Sequence, residues 1–208
     1  MRLILVRHGR TTSNVGFLLD TGEPGADLDD LGRSQARSLV DRLAGHDFEA
    51  IFVSNLVRTQ QTARPIARAR SLHLTVLPGL REISAGEDEL STDSTRYIDT
   101  LQAWAAGEPN RRIPGGEDAH EFFARYDASI RTIGEAGHET VMAVSHGAAI
   151  RVWASARVAG FTEAIGEGHF DNTGFLILEG SLEDGWSLTS IEGVRYYAHI
   201  PAESGEAD

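Results

Sequence analysis

Short uninterrupted apolar runs recur along the chain, and most are followed by a stretch with helical spacing. Leu3-Ile4-Leu5-Val6, Ala50-Ile51-Phe52-Val53 and Val141-Met142-Ala143-Val144 contain no polar residue. A run without alternation is buried on both faces, as strands of a parallel sheet are. Arg2 to Val6, Ala50 to Val53 and Val141 to Val144 are therefore predicted as buried strands. His73 to Leu77 is a further candidate, and Gly174 to Glu179 and Trp186 to Ile191 form two late strands, close enough to pair.

Between them the period changes. Leu31, Leu39, Val40 and Leu43 share a helical face, with Asp29 or Asp30 as N-cap and Gly45 just past the end. Ser54 stands where an N-cap belongs, so Asn55 to Arg70 is predicted as helix, with Pro65 a kink or an end. Glu117 to Ala136 reads as a long amphipathic helix with Phe122, Phe123, Tyr126, Ile130 and Ile133 on one side. Another helix runs from the strand at Val144 through Val158. Residues 20–30 are rich in Gly, Pro and Asp and read as a loop.

From Ala85 to Ala119 the core signal weakens, leaving one helix around Thr95 to Ala105. Strands alternating with helices predict an α/β fold. The expected architecture is a three-layer α/β/α sandwich with a mostly parallel central sheet and a lid-like excursion over about 85–119. Residues 1–200 read as one domain and 201–208 as a polar tail. Trp104, Trp153 and Trp186 are expected in the core.

Composition narrows the chemistry. The 208 residues hold no cysteine and no lysine, which excludes thiolate ligands, a cysteine nucleophile, Schiff-base chemistry and a P-loop lysine. The formal net charge of −12 argues against general binding to nucleic acid or to anionic membrane. The apolar run after Met1 is too short for a signal-peptide core or a membrane span, so a cytoplasmic protein is expected. No metal-ligand spacing is visible, and neither a metal nor a cofactor is expected. A monomer or a homodimer is equally compatible with the sequence.

Two strand ends carry an echo. Val6-Arg7-His8-Gly9 and Val144-Ser145-His146-Gly147 each place a His-Gly pair after an apolar strand. In open α/β sheets, ligands bind outside the carboxyl ends of the strands. Arg58, in the first turn of a helix after a third strand, leans toward the same rim. Arg7, Arg58, His8 and His146 together suit an anion, because guanidinium forks match phosphate oxygens in pairs. A histidine there acts as nucleophile when neutral and as phosphate ligand when protonated. His46, His73, His120, His138, His169 and His199 lack that context and are read as ordinary residues.

The segment Leu5 to Asn14 (LVRHGRTTSN) resembles the signature of the histidine phosphatase superfamily, the phosphoglycerate mutase-like proteins. Leu28 to Ala36, Ser54 to Ala63 (SNLVRTQQTA), Leu80-Arg81-Glu82-Ile83, Pro114 to Glu117 and Val144 to Ala148 continue the likeness in order, over about residues 2–180. The resemblance implies a phosphohistidine mechanism. His8 would attack phosphorus, and Arg7, Arg58, His146 and Asn14 would hold the phosphate. Glu82 would protonate the leaving oxygen and then activate water; Glu87, Asp88, Glu89 and Glu117 are neighbouring carboxylates in the same excursion.

The chain departs from the family pattern at Arg10, usually Glu or Gln, and at Asp88 and Leu90, where an aromatic and a glycine are usual. Arg10, Thr11, Ser13, Arg111, Arg112 and Gly147 are candidates for contacts to the rest of the substrate. The absence of a lysine and of the longer mutase insertion after Glu82 favours a metal-independent phosphatase acting on a small phosphorylated metabolite. A phosphoglycerate mutase-like phosphotransferase is the second reading. A weakly catalytic module that binds a phospho-ligand or phosphoprotein is the third.

Overall fold

Seven strands form one sheet in a computed structural model that describes residues 1–195. They are β1 (Arg2–Arg7), β2 (Ala50–Val53), β3 (Leu74–Val76), β4 (Thr140–Ser145), β5 (Val158–Ala159), β6 (His169–Ser181) and β7 (Gly185–Arg195), in the spatial order β3-β2-β4-β1-β6-β7-β5. The pairs β2/β3, β2/β4, β1/β4 and β5/β7 are parallel, and β6 runs antiparallel to both β1 and β7.

The all-apolar runs bury both faces, as expected. Leu3 and Leu5 of β1 join a core on one side of the sheet, while Ile4 and Val6 join the core on the other. The first side is covered by α4 (Thr95–Ala105), α5 (Ala119–Glu135) and α6 (Gly147–Arg157); the second by α2 (Asp30–Arg42) and α3 (Val57–Arg70). Two short helices, α1 (Thr12–Val15) and α7 (Phe161–Ile165), complete the described chain.

Several boundaries differ from the sequence reading. α2 takes Asp29 as N-cap but ends at Arg42 with Leu43 as its C-cap, short of Gly45. α3 starts at Val57 behind Leu56, which makes no side-chain cap; Ser54 Oγ accepts from Leu56 N–H at 3.2 Å and also meets His146 Nε2 at 2.8 Å. Pro65 lies inside α3 without ending it, and the helix stops at Ser71 in a left-handed conformation. α5 begins two residues after Glu117, because Asp118 and Glu121 form a reciprocal capping box. β6 and β7 extend beyond the apolar runs that marked them, with register shifts between Phe170 and Phe175 and between Ile177 and Leu178. Irregular pairing hides a strand from a period-two reading. The 201–208 tail and His199 lie outside the described residues.

Over residues 85–119 there is no strand, and α4 is the one α-helix. The segment is nonetheless pinned to the core: Ala85, Tyr97, Trp104 and Ile113 are buried in the same cluster as α5 and α6. Few apolar residues do this, which is why the sequence signal is weak.

Trp153 is the largest fully buried side chain. Its ring lies between Tyr126 and Trp186, at 5.5 and 6.2 Å, and its Nε1 donates to Asp127 at 2.8 Å. Trp153→Ala is expected to cost about 3–5 kcal/mol of unfolding free energy, as large aromatic truncations do. Urea denaturation of the two proteins checks this.

Candidate active site

Strand register brings the chemistry together. β1 and β2 flank β4, and Val6 and Val53 both pair with Val144. The residues that leave these three strands therefore emerge side by side. His8 N–H donates to Ser145 O at 3.0 Å and Ser54 N–H to Val144 O at 3.2 Å. The His8 carbonyl accepts from Thr173 N–H at 3.2 Å and from Asn172 Nδ2 at 3.0 Å, which fixes the backbone beneath the ring.

His8 is 3% exposed. Its Nδ1 lies 2.7 Å from Gly9 O, which can only accept, so Nδ1 carries the proton and Nε2 the lone pair. Burial pushes the ring well below the usual histidine range; Arg58 and Arg7 push it further, and the bond to Gly9 opposes them. His146 caps α6 with its ring centroid 5.1 Å from that of His8. Burial likewise lowers its pKa, with Arg58 and His8 adding to the shift. Its Nε2 lies 2.8 Å from Ser54 Oγ, and its Nδ1 is buried without a partner.

The two arginines reach the site from β1 and from α3. Arg58 is buried in the first turn of α3, where Nη2 donates to Asp20 O at 2.8 Å and Nη1 lies 3.6 Å from Asp20 Oδ2. That Nη1 has no hydrogen-bond partner. Gly25, at φ +72°, leaves the space: a Cβ there would come within 2.4 Å of Nη1. Arg7 donates through Nη1 to Phe170 O and keeps a buried Nε without a partner. Gly147 packs against this guanidinium, and a Cβ there would sit 3.0 Å from Nε.

Glu82 stands at the start of α6. Its Oε1 accepts from Ala149 N–H at 2.8 Å and Ile83 N–H at 2.9 Å, and its Oε2 accepts from Ala148 N–H at 3.1 Å. Arg125 steadies the loop beneath it by donating to the carbonyls of Gly79, Arg81 and Glu82 and, bidentately, to the carboxylate of Glu117. The rival carboxylates are engaged elsewhere. Asp88 pairs with Arg96, and Glu89 accepts from Thr21 and Gly22.

Arg7, His8, Asn14, Arg58 and Glu82 line one small cavity of about 100 Å³. Asn14 Oδ1 accepts from Thr11 N–H and Asn172 Nδ2, which leaves the Asn14 amide N–H₂ to donate into the cavity. Thr11 borders the cavity and caps α1; Ser13 is buried and does not border it.

Three further candidates for substrate contact are not brought here either. Arg10 pairs with Asp29 at 2.7 Å, Arg112 pairs with Asp118 and Glu121, and Arg111 is exposed and borders neither this cavity nor its neighbour. Their charges are compensated locally or left in solvent. Asp20, Ser54 and Asn172 complete the site and were not singled out in the sequence. Ser54 was visible only as a helix cap; the other two carry no local period or motif. Among the described residues no group of three His, Asp or Glu side chains is placed to hold a metal ion, and no helix is long and apolar enough to cross a membrane.

Two buried neutral imidazoles make stability depend on pH. Below about pH 6.5 the unfolded rings bind protons that the folded rings do not, so the unfolded state gains and stability falls on acidification. For His8 and His146 together stability is expected to fall between pH 7.5 and 5.5, by on the order of 1–3 kcal/mol. Urea unfolding at both pH values measures it, and His8→Asn should remove about half.

Comparison with known proteins places this geometry. The family model of the histidine phosphatase superfamily (branch 1) matches residues 3–192. The chain is 34% identical over 212 residues to PE-PGRS family protein PE_PGRS11 of Mycobacterium tuberculosis; the match covers 91% of this chain and 36% of that protein. The chain thus spans about a third of that relative's length. It is 32% identical over 154 residues to the probable phosphoglycerate mutase GpmB of Proteus mirabilis, covering 72% of this chain and 71% of that one. Among solved structures, a mycobacterial glucosyl-3-phosphoglycerate phosphatase in complex with VO3 superposes with a TM-score of 0.75 at 26% identity, covering 93% of this chain and 99% of that chain.

Proposed function

Because the chain belongs to the histidine phosphatase superfamily, we propose that it is a metal-independent phosphomonoester hydrolase whose phosphoryl group passes through His8. The observation that carries the proposal is His8 itself. It is a buried, neutral imidazole with Nδ1–H anchored on Gly9, set in a cavity walled by two guanidinium groups. Anchoring one nitrogen leaves the other as a nucleophile of fixed direction.

In the first step, His8 Nε2 forms a bond to phosphorus and the bond from phosphorus to the leaving oxygen breaks. Glu82 acts as the general acid: it gives a proton to that oxygen and the alcohol departs. In the second step, Glu82 takes a proton from water, the water oxygen bonds to phosphorus, and His8 leaves with its lone pair restored. Inorganic phosphate is the product.

Arg7, Arg58 and the Asn14 amide stabilise the charge on the non-bridging oxygens throughout. Neutral His146 contributes Nδ1–H when Ser54 donates its hydroxyl to Nε2. The arginines that a second anionic group would need are not free, which supports hydrolysis over transfer between carbons of a phosphorylated acid: Arg10 and Arg112 are paired with carboxylates away from the cavity.

The test is hydrolysis of para-nitrophenyl phosphate and of an alkyl phosphate in EDTA, with wild type and Glu82→Gln. Turnover of both esters by the wild type is expected. Glu82→Gln should lose about 10²–10⁴-fold in kcat with the alkyl ester, which needs a proton on its leaving oxygen. With nitrophenolate, a stable anion, the loss should be much smaller. Equal losses would remove Glu82 as the acid. Dependence on added metal would overturn the metal-independent reading, and rapid interconversion of 2- and 3-phosphoglycerate would favour the mutase.

A further inference from the structure

We propose that the leaving group of the substrate is a bulky, predominantly apolar alcohol held in a second cavity that opens off the phosphate site; this rests on the hydrolase reading above. The second cavity has a volume of about 1000 Å³ and shares Arg7, Tyr97 and Ala148 with the small one. Glu82 sits at this junction, bonded to the Ala148 amide, where a leaving oxygen would pass from one cavity to the other. Pockets of about 300–1000 Å³ hold drug-sized ligands. A three-carbon acid would leave most of this space unfilled.

The walls decide the chemistry. Leu101, Trp104, Phe123, Val152 and Phe170 line the cavity with carbon. The polar atoms of its aromatic walls are turned into the protein: Tyr97 Oη donates to Ile83 O at 3.1 Å and Trp104 Nε1 to Arg111 O at 2.7 Å. Arg151 donates to Gly168 O at 2.7 Å and Gly166 O at 3.0 Å. The other polar side chains on the border, Gln102, Ser155, Thr162, Glu167 and His169, are solvent-exposed. A sugar would set its hydroxyls against apolar walls at a desolvation cost, whereas an alkyl or ring system would gain from every atom buried.

The experiment is a series of linear alkyl phosphates from ethyl to octyl. The leaving alcohols have nearly the same acidity, so intrinsic reactivity is constant and the slope reports burial. We expect kcat/KM to rise about fourfold per methylene over the middle of the series. Ile98→Asp, an exposed position on the same cavity, should flatten that slope without risk to folding. If His8-dependent hydrolysis is independent of chain length, is fastest with 3-phosphoglycerate, or keeps its slope in Ile98→Asp, this inference is overturned and the hydrolase reading stands. If no ester in the series and no para-nitrophenyl phosphate is turned over, both fall.

Discussion

His8→Ala is expected to lower kcat/KM by on the order of 10⁴-fold or more, as loss of a covalent nucleophile does. Phosphate should also vanish from the protein. In wild type, mixing with substrate and quenching in alkali, where phosphohistidine survives, should leave a phosphoryl group on the peptide that contains His8. In the variant, mass spectrometry of the same peptide should find none. The fold tolerates the change because, among the described residues, the ring bonds to Gly9 alone, whereas the backbone bonds to Ser145, Thr173 and Asn172 remain. The adduct expected in wild type follows from one geometric fact: the proton of His8 is held on Nδ1, which leaves Nε2 to attack. Substantial turnover by a folded His8→Ala protein would mean direct attack by water or by His146, and the covalent scheme would be abandoned.

Arg58→Ala is expected to lower kcat by about 10³-fold, with Arg58→Lys recovering only part of it. The reason lies in how Arg58 is held. One nitrogen is spent on Asp20 O, and the other is buried with no hydrogen-bond partner. Asp20 thus holds the guanidinium at the wall of the cavity with His8, where it would meet the phosphate oxygens. Charge grows on those oxygens as the transition state forms, so the loss should fall on kcat more than on KM. A lysine restores charge but not the fork. Asp20→Asn should give an intermediate loss, since it removes the charge that faces Arg58 without removing the backbone bond. Steady-state kinetics on the three variants, with circular dichroism to establish folding, decides the matter. A change confined to KM would make Arg58 a ground-state binding group only.

Much of this molecule is legible in its sequence. Runs such as Leu3 to Val6 and Val141 to Val144 could only be strands covered on both sides, and they are. That alone set an α/β sheet with helical layers, and placed His8 and His146 at carboxyl ends of strands. Arg58 was legible as well, because it falls in the first turn of a helix that follows such a strand. What failed at this level were features in which tertiary bonds override local signals. Ser54 has the chemistry of a cap and accepts from Leu56 N–H, yet its hydroxyl also reaches His146, 92 residues away, and the helix starts later, at Val57. Pro65 reads as a breaker, yet packing between α2 and α3 carries the helix past it.

The choice among acids shows the division most clearly. Glu82, Glu87, Asp88, Glu89 and Glu117 are chemically alike and close in the chain, and nothing but a family likeness separated them. In the fold, Arg96 takes Asp88, the Thr21 loop takes Glu89, and Arg125 takes Glu117. Glu82 alone among these five borders the small cavity with His8. Likewise Arg10, Arg111 and Arg112 looked available for a second anion, and Asp29, Asp118 and solvent account for them instead. The amino-acid sequence by itself determined which elements form, which positions are apolar, and which side chains stand at the strand ends, because these follow from period and from steric rules acting over a few residues. Only the tertiary structure decided which charge meets which partner and what kind of cavity adjoins the phosphate, because ion pairing and enclosed volume depend on distances between segments far apart in the chain.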